Sequence, residues 1–157
     1  MSELQNVVGL FGTCGDSTWR DDKAIPALQA ADLEFFNPVV ADWTPDCMEV
    51  EARHAAEDRV ILMGITGETT AVGSLAELGW IALQAQLRGQ SVVVFLEDMD
   101  ESTLDPAVAQ NVRPNKVRAL VREHMGKLPL SLFQSGTISM CETLDEAVER
   151  AVELMAE

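Results

Sequence analysis

Basic residues are scarce in this chain: 11 lysines and arginines stand against 26 acids, a formal net charge of −15. Polymeric DNA and RNA are held largely by neutralising their phosphates, so the composition argues against both, and against an anionic membrane surface. It leaves room for a small nucleotide held by backbone N–H groups. No apolar run approaches the ~20 residues that a membrane-crossing helix needs. The segment Met1–Gln5 carries no basic stretch, so no signal peptide is expected. Cysteine is limited to Cys14, Cys47 and Cys141. An odd number of widely spaced thiols fits a reducing cytoplasm better than a disulfide framework. Two histidines and no CxxC give no basis for a metal site, and neither GxxxxGK[ST] nor GxGxxG occurs.

What is present is a globular composition. Hydrophobic residues make up 47% of the 157 and charged residues 24%, enough apolar material for one domain over residues 1–157. Apolar runs with strand character fall at Asn6–Phe11, Leu33–Phe36, Arg59–Ile65, Ser91–Leu96 and Thr137–Cys141. Helical patterns separate them. Trp19–Ala31 carries Pro26, which should interrupt or kink it. A second helix starts at Thr44-Pro45 and runs to Glu57. Pro106–Met125 breaks near Pro114. The last helix opens at Thr143, with Glu146 at capping-box spacing. Five alternations of strand and helix predict an α/β domain: a five-stranded parallel sheet of order 2-1-3-4-5 with helices on both faces. In such a sheet ligands bind beyond the carboxyl ends of the strands, at the switch point between strands 1 and 3. Three loops converge there: Gly12–Trp19, Asn37–Thr44 and Thr66–Ser74.

The stretch Gly73–Gly89 stands out as one helix, apolar on nearly every side. Ser74 reads as its N-cap, Glu77 completes a capping box, and Gly89 reads as the C′ residue. Glu77 then either reciprocates the cap or serves as a nucleophilic carboxylate that the helix N-terminus keeps ionised. The loop containing Gly12, Thr13, Asp16 and Ser17 reads either as an ordinary strand-to-helix turn or as a cradle for a phosphate, with Trp19 and Arg20 just after it. Asp58 is a turn residue or an acid before strand 3. Asn37 reads as a turn residue beside Pro38, and Trp43 as core or as a stacking surface for a base. His54 is given no role.

The run Gly73-Ser74-x-x-Glu77-Leu78-Gly79-Trp80, with Gly89 and the apolar strand Val92–Phe95, resembles the signature of the nucleoside 2-deoxyribosyltransferase family. The opening Gly12-Thr13…Ser17-Thr18-Trp19-Arg20, with Phe36-Asn37-Pro38 and Asp42-Trp43, is similar to the deoxyribosyltransferase-like branch of that family. The likeness covers about residues 7–96. It implies a flavodoxin-like fold, Glu77 as the nucleophile that attacks the anomeric carbon, Asp58 as an acid that orients or protonates the base, and Asn111 as a residue that a neighbouring subunit contributes to the sugar site. It also implies that Gly73 and Ser74 stand beside the substrate. The chain departs from the family in having no Tyr, where members usually carry one on strand 1, and in placing Ala71 where many have Asp or Ser.

The resulting expectation is an enzyme that cleaves or transfers at the N-glycosidic bond of a nucleoside or nucleotide through a Glu77 glycosyl ester. It needs no metal or organic cofactor, and the 5′ end of the substrate sits on the Gly12–Arg20 loop. The alternatives are a nucleoside 5′-monophosphate N-glycosidase and a non-catalytic nucleotide- or flavin-binding module. A homo-oligomer is expected, because one small sheet cannot cover every apolar side of the Leu75–Leu87 helix.

Overall fold

The computed structural model of the chain describes residues 3–125, 127 and 137–157; Met1 and Ser2 of the N-terminal segment lie outside them. Five parallel strands form one sheet in the order β2-β1-β3-β4-β5. They are β1 (Gln5–Gly12), β2 (Glu34–Phe36), β3 (Asp58–Ile65), β4 (Ser91–Leu96) and β5 (Thr137–Cys141). The helices are α1 (Ile25–Ala30), α2 (Pro45–Glu57), α3 (Val72–Arg88), α4 (Pro106–Val112), α5 (Pro114–Met125) and α6 (Leu144–Ala156). This is the flavodoxin-like arrangement expected from the alternation of elements.

The central strands are apolar on both faces, which a parallel sheet covered by helices on both sides requires. Along β3, Val60 and Leu62 pack under α1 and α6 with Val8, Leu10 and Ala151. Ile61, Met63 and Ile65 pack under α2, α3 and α5 with Phe11, Leu78 and Ile81. The period of two along the strand thus divides the core into two layers. Leu78 is fully buried, and truncating it to Ala should cost roughly 2–5 kcal/mol.

The helix ends follow their local signals in part. Thr143 and Glu146 form the expected capping box on α6: the Glu146 N–H donates to Thr143 Oγ1 at 3.1 Å and the Thr143 N–H donates to Glu146 Oε2 at 3.2 Å. Pro114 separates α4 from α5, with Arg113 between them at φ 48°. The helical run after β1 does not break at Pro26. Arg20–Ala24 is a π-helical turn that leads into α1, and Pro26 falls in the first turn of α1, where no N–H is needed.

The start of α3 differs from the expectation. The helix begins at Val72, capped by Ala71 at φ 52°, with no side-chain cap. Ser74 is therefore inside the first turn, and Glu77 lies in the second turn, where the helix dipole acts weakly.

Candidate functional site

A cleft of about 460 Å³ opens at the carboxyl edge of the sheet, at the switch point between β1 and β3. Its lining comes from the end of β1 (Phe11, Gly12), the loop after it (Cys14, Gly15, Arg20), the loop before α2 (Pro38, Val39, Val40, Trp43), Glu51 of α2 and Glu77 of α3. Depressions of similar size run along the outside of α3 (520 Å³) and beside the ends of β4 and β5 (600 Å³). The switch-point cleft differs from them in bringing two carboxyls, a guanidinium and an exposed indole into one space.

Gly12 makes the cleft floor possible. Its φ is +122°, and a Cβ there would lie 2.1 Å from the Gly64 carbonyl oxygen, so no side chain fits between β1 and β3 at this point. The Thr13 N–H donates to that same carbonyl at 2.9 Å. Thr13 Oγ1 in turn accepts from the Thr66 N–H at 2.9 Å. Ser17 Oγ lies 3.0 Å from Thr66 Oγ1 and donates to Glu68 at 3.1 Å. Thr13 and Ser17 thus tie the first loop to the end of β3; the cleft is not lined by them.

Arg20 and Trp19 also have structural work. Arg20 is 3% exposed. Its guanidinium donates to the carbonyls of Leu10 (3.0 Å), Thr13 (2.6 Å) and Gly12 (3.4 Å), and to Cys14 Sγ at 3.8 Å. Most of its donors are thereby engaged in closing the turn after β1, which argues against the phosphate contact expected from sequence. Trp19, expected beside the substrate, is instead buried: its indole packs where a Gly64 side chain would be and donates to the Thr13 carbonyl at 3.0 Å.

Glu77 is half-buried and faces the cleft. Burial raises its pKa, the nearby charge of Glu51 raises it further, and Arg20 opposes both. The helix N-terminus expected to favour the ionised form is a turn away, and the net effect of the surroundings is to raise the pKa above its ordinary value. Trp43 is 56% exposed, and its indole N–H donates to Glu51 Oε1 at 3.4 Å. Indole and carboxylate thus form one wall.

Of the residues singled out in the sequence, Gly12, Arg20, Trp43 and Glu77 come together here. Asp16 is exposed on the turn after β1. Asn37 accepts from the Val39 N–H at 3.1 Å and shapes the second loop. Gly73 and Ser74 sit in the first turn of α3, away from the cleft lining. Asn111 is exposed on α4. Asp58 is not in the cleft. It begins β3, at the opposite end of the strand, is fully buried, and lies 2.9 Å from His54 Nδ1. Burial pushes its pKa up to about 6 against the partial offset of His54. The His54 ring stacks on Phe36 at 3.8 Å, a role the sequence did not suggest.

Glu51 was overlooked in the sequence, although a signal existed. Cys47, Glu51 and Ala55 recur at i, i+4 on the inward stripe of α2, and a carboxylate on such a stripe needs a reason. Chemically, the cleft offers an aromatic wall for a planar ring, and two carboxyls that can act as nucleophile and proton carrier. No family model and no curated protein matches the chain.

Proposed function

We propose that the protein cleaves or transfers at the N-glycosidic bond of a nucleoside or nucleotide. The observation that carries this reading is the pair Glu51 and Glu77 in one cleft beside the exposed Trp43. Paired carboxyls are the usual means of breaking a glycosidic bond through an oxocarbenium-like transition state. In the proposed reaction the base stacks on Trp43 and is hydrogen-bonded by Glu51. The Glu77 carboxylate attacks C1′. The C1′–N bond breaks, its electron pair leaves with the base, and the departing nitrogen takes up a proton from water, relayed by the Glu51 carboxylate. A second base or water then attacks the glycosyl ester, releases Glu77, and gives transfer or hydrolysis. The role that family resemblance assigned to Asp58 passes in this reading to Glu51, which faces the cleft.

Three unpaired cysteines suit a cytoplasmic setting, and no helix among the described residues is long and apolar enough to cross a membrane. The engagement of Arg20 with backbone carbonyls favours a nucleoside over an obligatory 5′-phosphate. The test is a panel of nucleosides and 5′-monophosphates, with and without an acceptor base, read by chromatography. Free base without acceptor means hydrolysis, and a new nucleoside means transfer. No base released or exchanged from any member overturns the reading.

A further inference from the structure

The switch-point cleft is rich in hydrogen-bond acceptors and short of donors. Three charged side chains line it: Glu51, Glu77 and Arg20. Of the five N–H groups of Arg20, four are committed to the carbonyls of Leu10, Thr13 and Gly12 and to Cys14 Sγ. The Cys14 thiol donates to the Gly12 carbonyl at 3.4 Å, and the Trp43 indole N–H is taken by Glu51 Oε1. Among the described residues, neither the Glu77 carboxyl nor Glu51 Oε2 has a hydrogen-bond partner. The loops that frame the opening, residues 13–19 and 37–44, add the exposed Asp16 and Asp42 and no Lys or Arg. Arg53 on α2 and Arg88 on α3 do not reach the lining.

This inventory selects the ligand by charge. An anion finds two carboxyls and a guanidinium already occupied by backbone. A flat ring with a positive charge finds the exposed face of Trp43, whose π electrons attract a cation, and two carboxyls with free oxygens beside it. We propose that the cleft takes a ring that carries a positive charge, so that the substrate is an N-glycoside of a cationic base, a pyridinium or an N7-alkylated purine. The reaction in this proposal rests on the N-glycosidic reading above; the charge of the ring rests on the lining alone.

The electron and proton balance agrees. A neutral base leaves as an anion unless it is protonated, and with Glu77 as nucleophile the only route for that proton is a relay through Glu51. A cationic base takes the electron pair of the C1′–N bond and leaves neutral, with no proton required. The Glu77 carboxylate forms the ester to C1′. Water then attacks C1′, the Glu51 carboxylate takes its proton, and Glu77 departs as a carboxylate. Burial and the charge of Glu51 raise the Glu77 pKa. A cation beside the two carboxyls acts the other way, so its arrival favours the ionised nucleophile.

The test is calorimetry of the intact chain with 1-methylnicotinamide, a pyridinium with no glycosidic bond to cleave, against neutral nicotinamide. The cation should bind about tenfold more tightly or better. Trp43→Leu and Glu51→Gln, checked for fold by circular dichroism, should each weaken it by about fivefold or more. Equal affinities for the two ligands would overturn the proposal. So would a cation that both variants bind as the wild type does, because it then sits elsewhere on an acidic surface. Base release from 7-methylguanosine and guanosine, and from their 2′-deoxy counterparts, separates the ring charge from the reaction. Faster release from the methylated member of each pair is expected. Release no faster than from the unmethylated member overturns the proposal and leaves the N-glycosidic reading intact. Cation binding that both variants weaken, with no base released from any of these nucleosides, upholds the charge of the ring and counts against that reading.

Discussion

Glu51 on α2 and Glu77 on α3 open into the same cleft, and the charge of Glu51 adds to burial in holding the Glu77 carboxyl above its ordinary range. The two residues are far apart in the chain. They meet because both α2 and α3 begin at the carboxyl edge of the sheet, on the same face of it.

This pairing has a consequence for pH dependence. An attacking Glu77 must be ionised, so turnover should fall as pH drops through its raised pKa. Removing the neighbouring charge lowers that pKa. Glu51→Gln should therefore move the acid limb of the pH–kcat profile to lower pH, in addition to reducing the rate on poor leaving groups. An unmoved acid limb would show that the two carboxyls do not interact.

Arg20 should behave as a strut. Replacing it with Ala leaves the carbonyls of Leu10, Gly12 and Thr13 without their donor in a buried turn. A loss of about 1–3 kcal/mol is expected, the cost of leaving buried acceptors without a donor, measured by urea unfolding. Turnover of nucleoside and 5′-monophosphate should fall together. A selective loss on the monophosphate would restore the phosphate role read from sequence.

Arg118 closes the other side of the same sheet edge. It is fully buried on α5 and donates to the carbonyls of Glu97 (2.7 Å), Thr69 (2.8 Å), Thr66 (3.3 Å) and Thr70 (3.3 Å). Carbonyls that strands and loops leave unpaired at their ends are met by one guanidinium. Arg118→Leu should cost at least ~3 kcal/mol and speed hydrogen exchange in residues 66–70. Lys cannot span four acceptors in a fork, so Arg118→Lys should rescue little.

Asp58 makes stability depend on pH in the opposite sense to most carboxylates. Its folded-state pKa, about 6, lies above the ordinary value, so the folded chain holds the proton more tightly. The stability this gives is present at low pH and is lost as pH rises through about 6. Thermal melts from about pH 4.5 to 7.5 should show Asp58→Asn gaining on the wild type as pH increases. A constant difference would mean that Asp58 titrates alike in both states.

The sheet order and the strands were legible because each strand is a short apolar run and each helix carries a period near 3.6. The α3 start was misread because Ser74 and Glu77 have capping-box spacing, while Ala71 takes a left-handed turn that no local residue announces. Glu77 and Trp43 were found because a carboxylate in an apolar helix and an indole in a loop are locally unusual. Thr13, Ser17, Trp19 and Arg20 were assigned to the substrate, because a polar loop at a switch point reads the same whether its donors face a ligand or the neighbouring backbone. Only the tertiary contacts with Gly64 and Thr66 separate the two. Glu51 was hidden by an acidic helix in which nothing but its position on the inward stripe set it apart.

The role of Glu77 is tested most directly by the turnover of Glu77→Gln on a nucleoside that the wild type accepts, with circular dichroism confirming the fold. An amide cannot form the glycosyl ester, so base release or exchange should drop by roughly a thousandfold or more, about 4 kcal/mol of barrier. A folded Glu77→Gln that turns over at the wild-type rate would contradict the assignment of Glu77 as nucleophile.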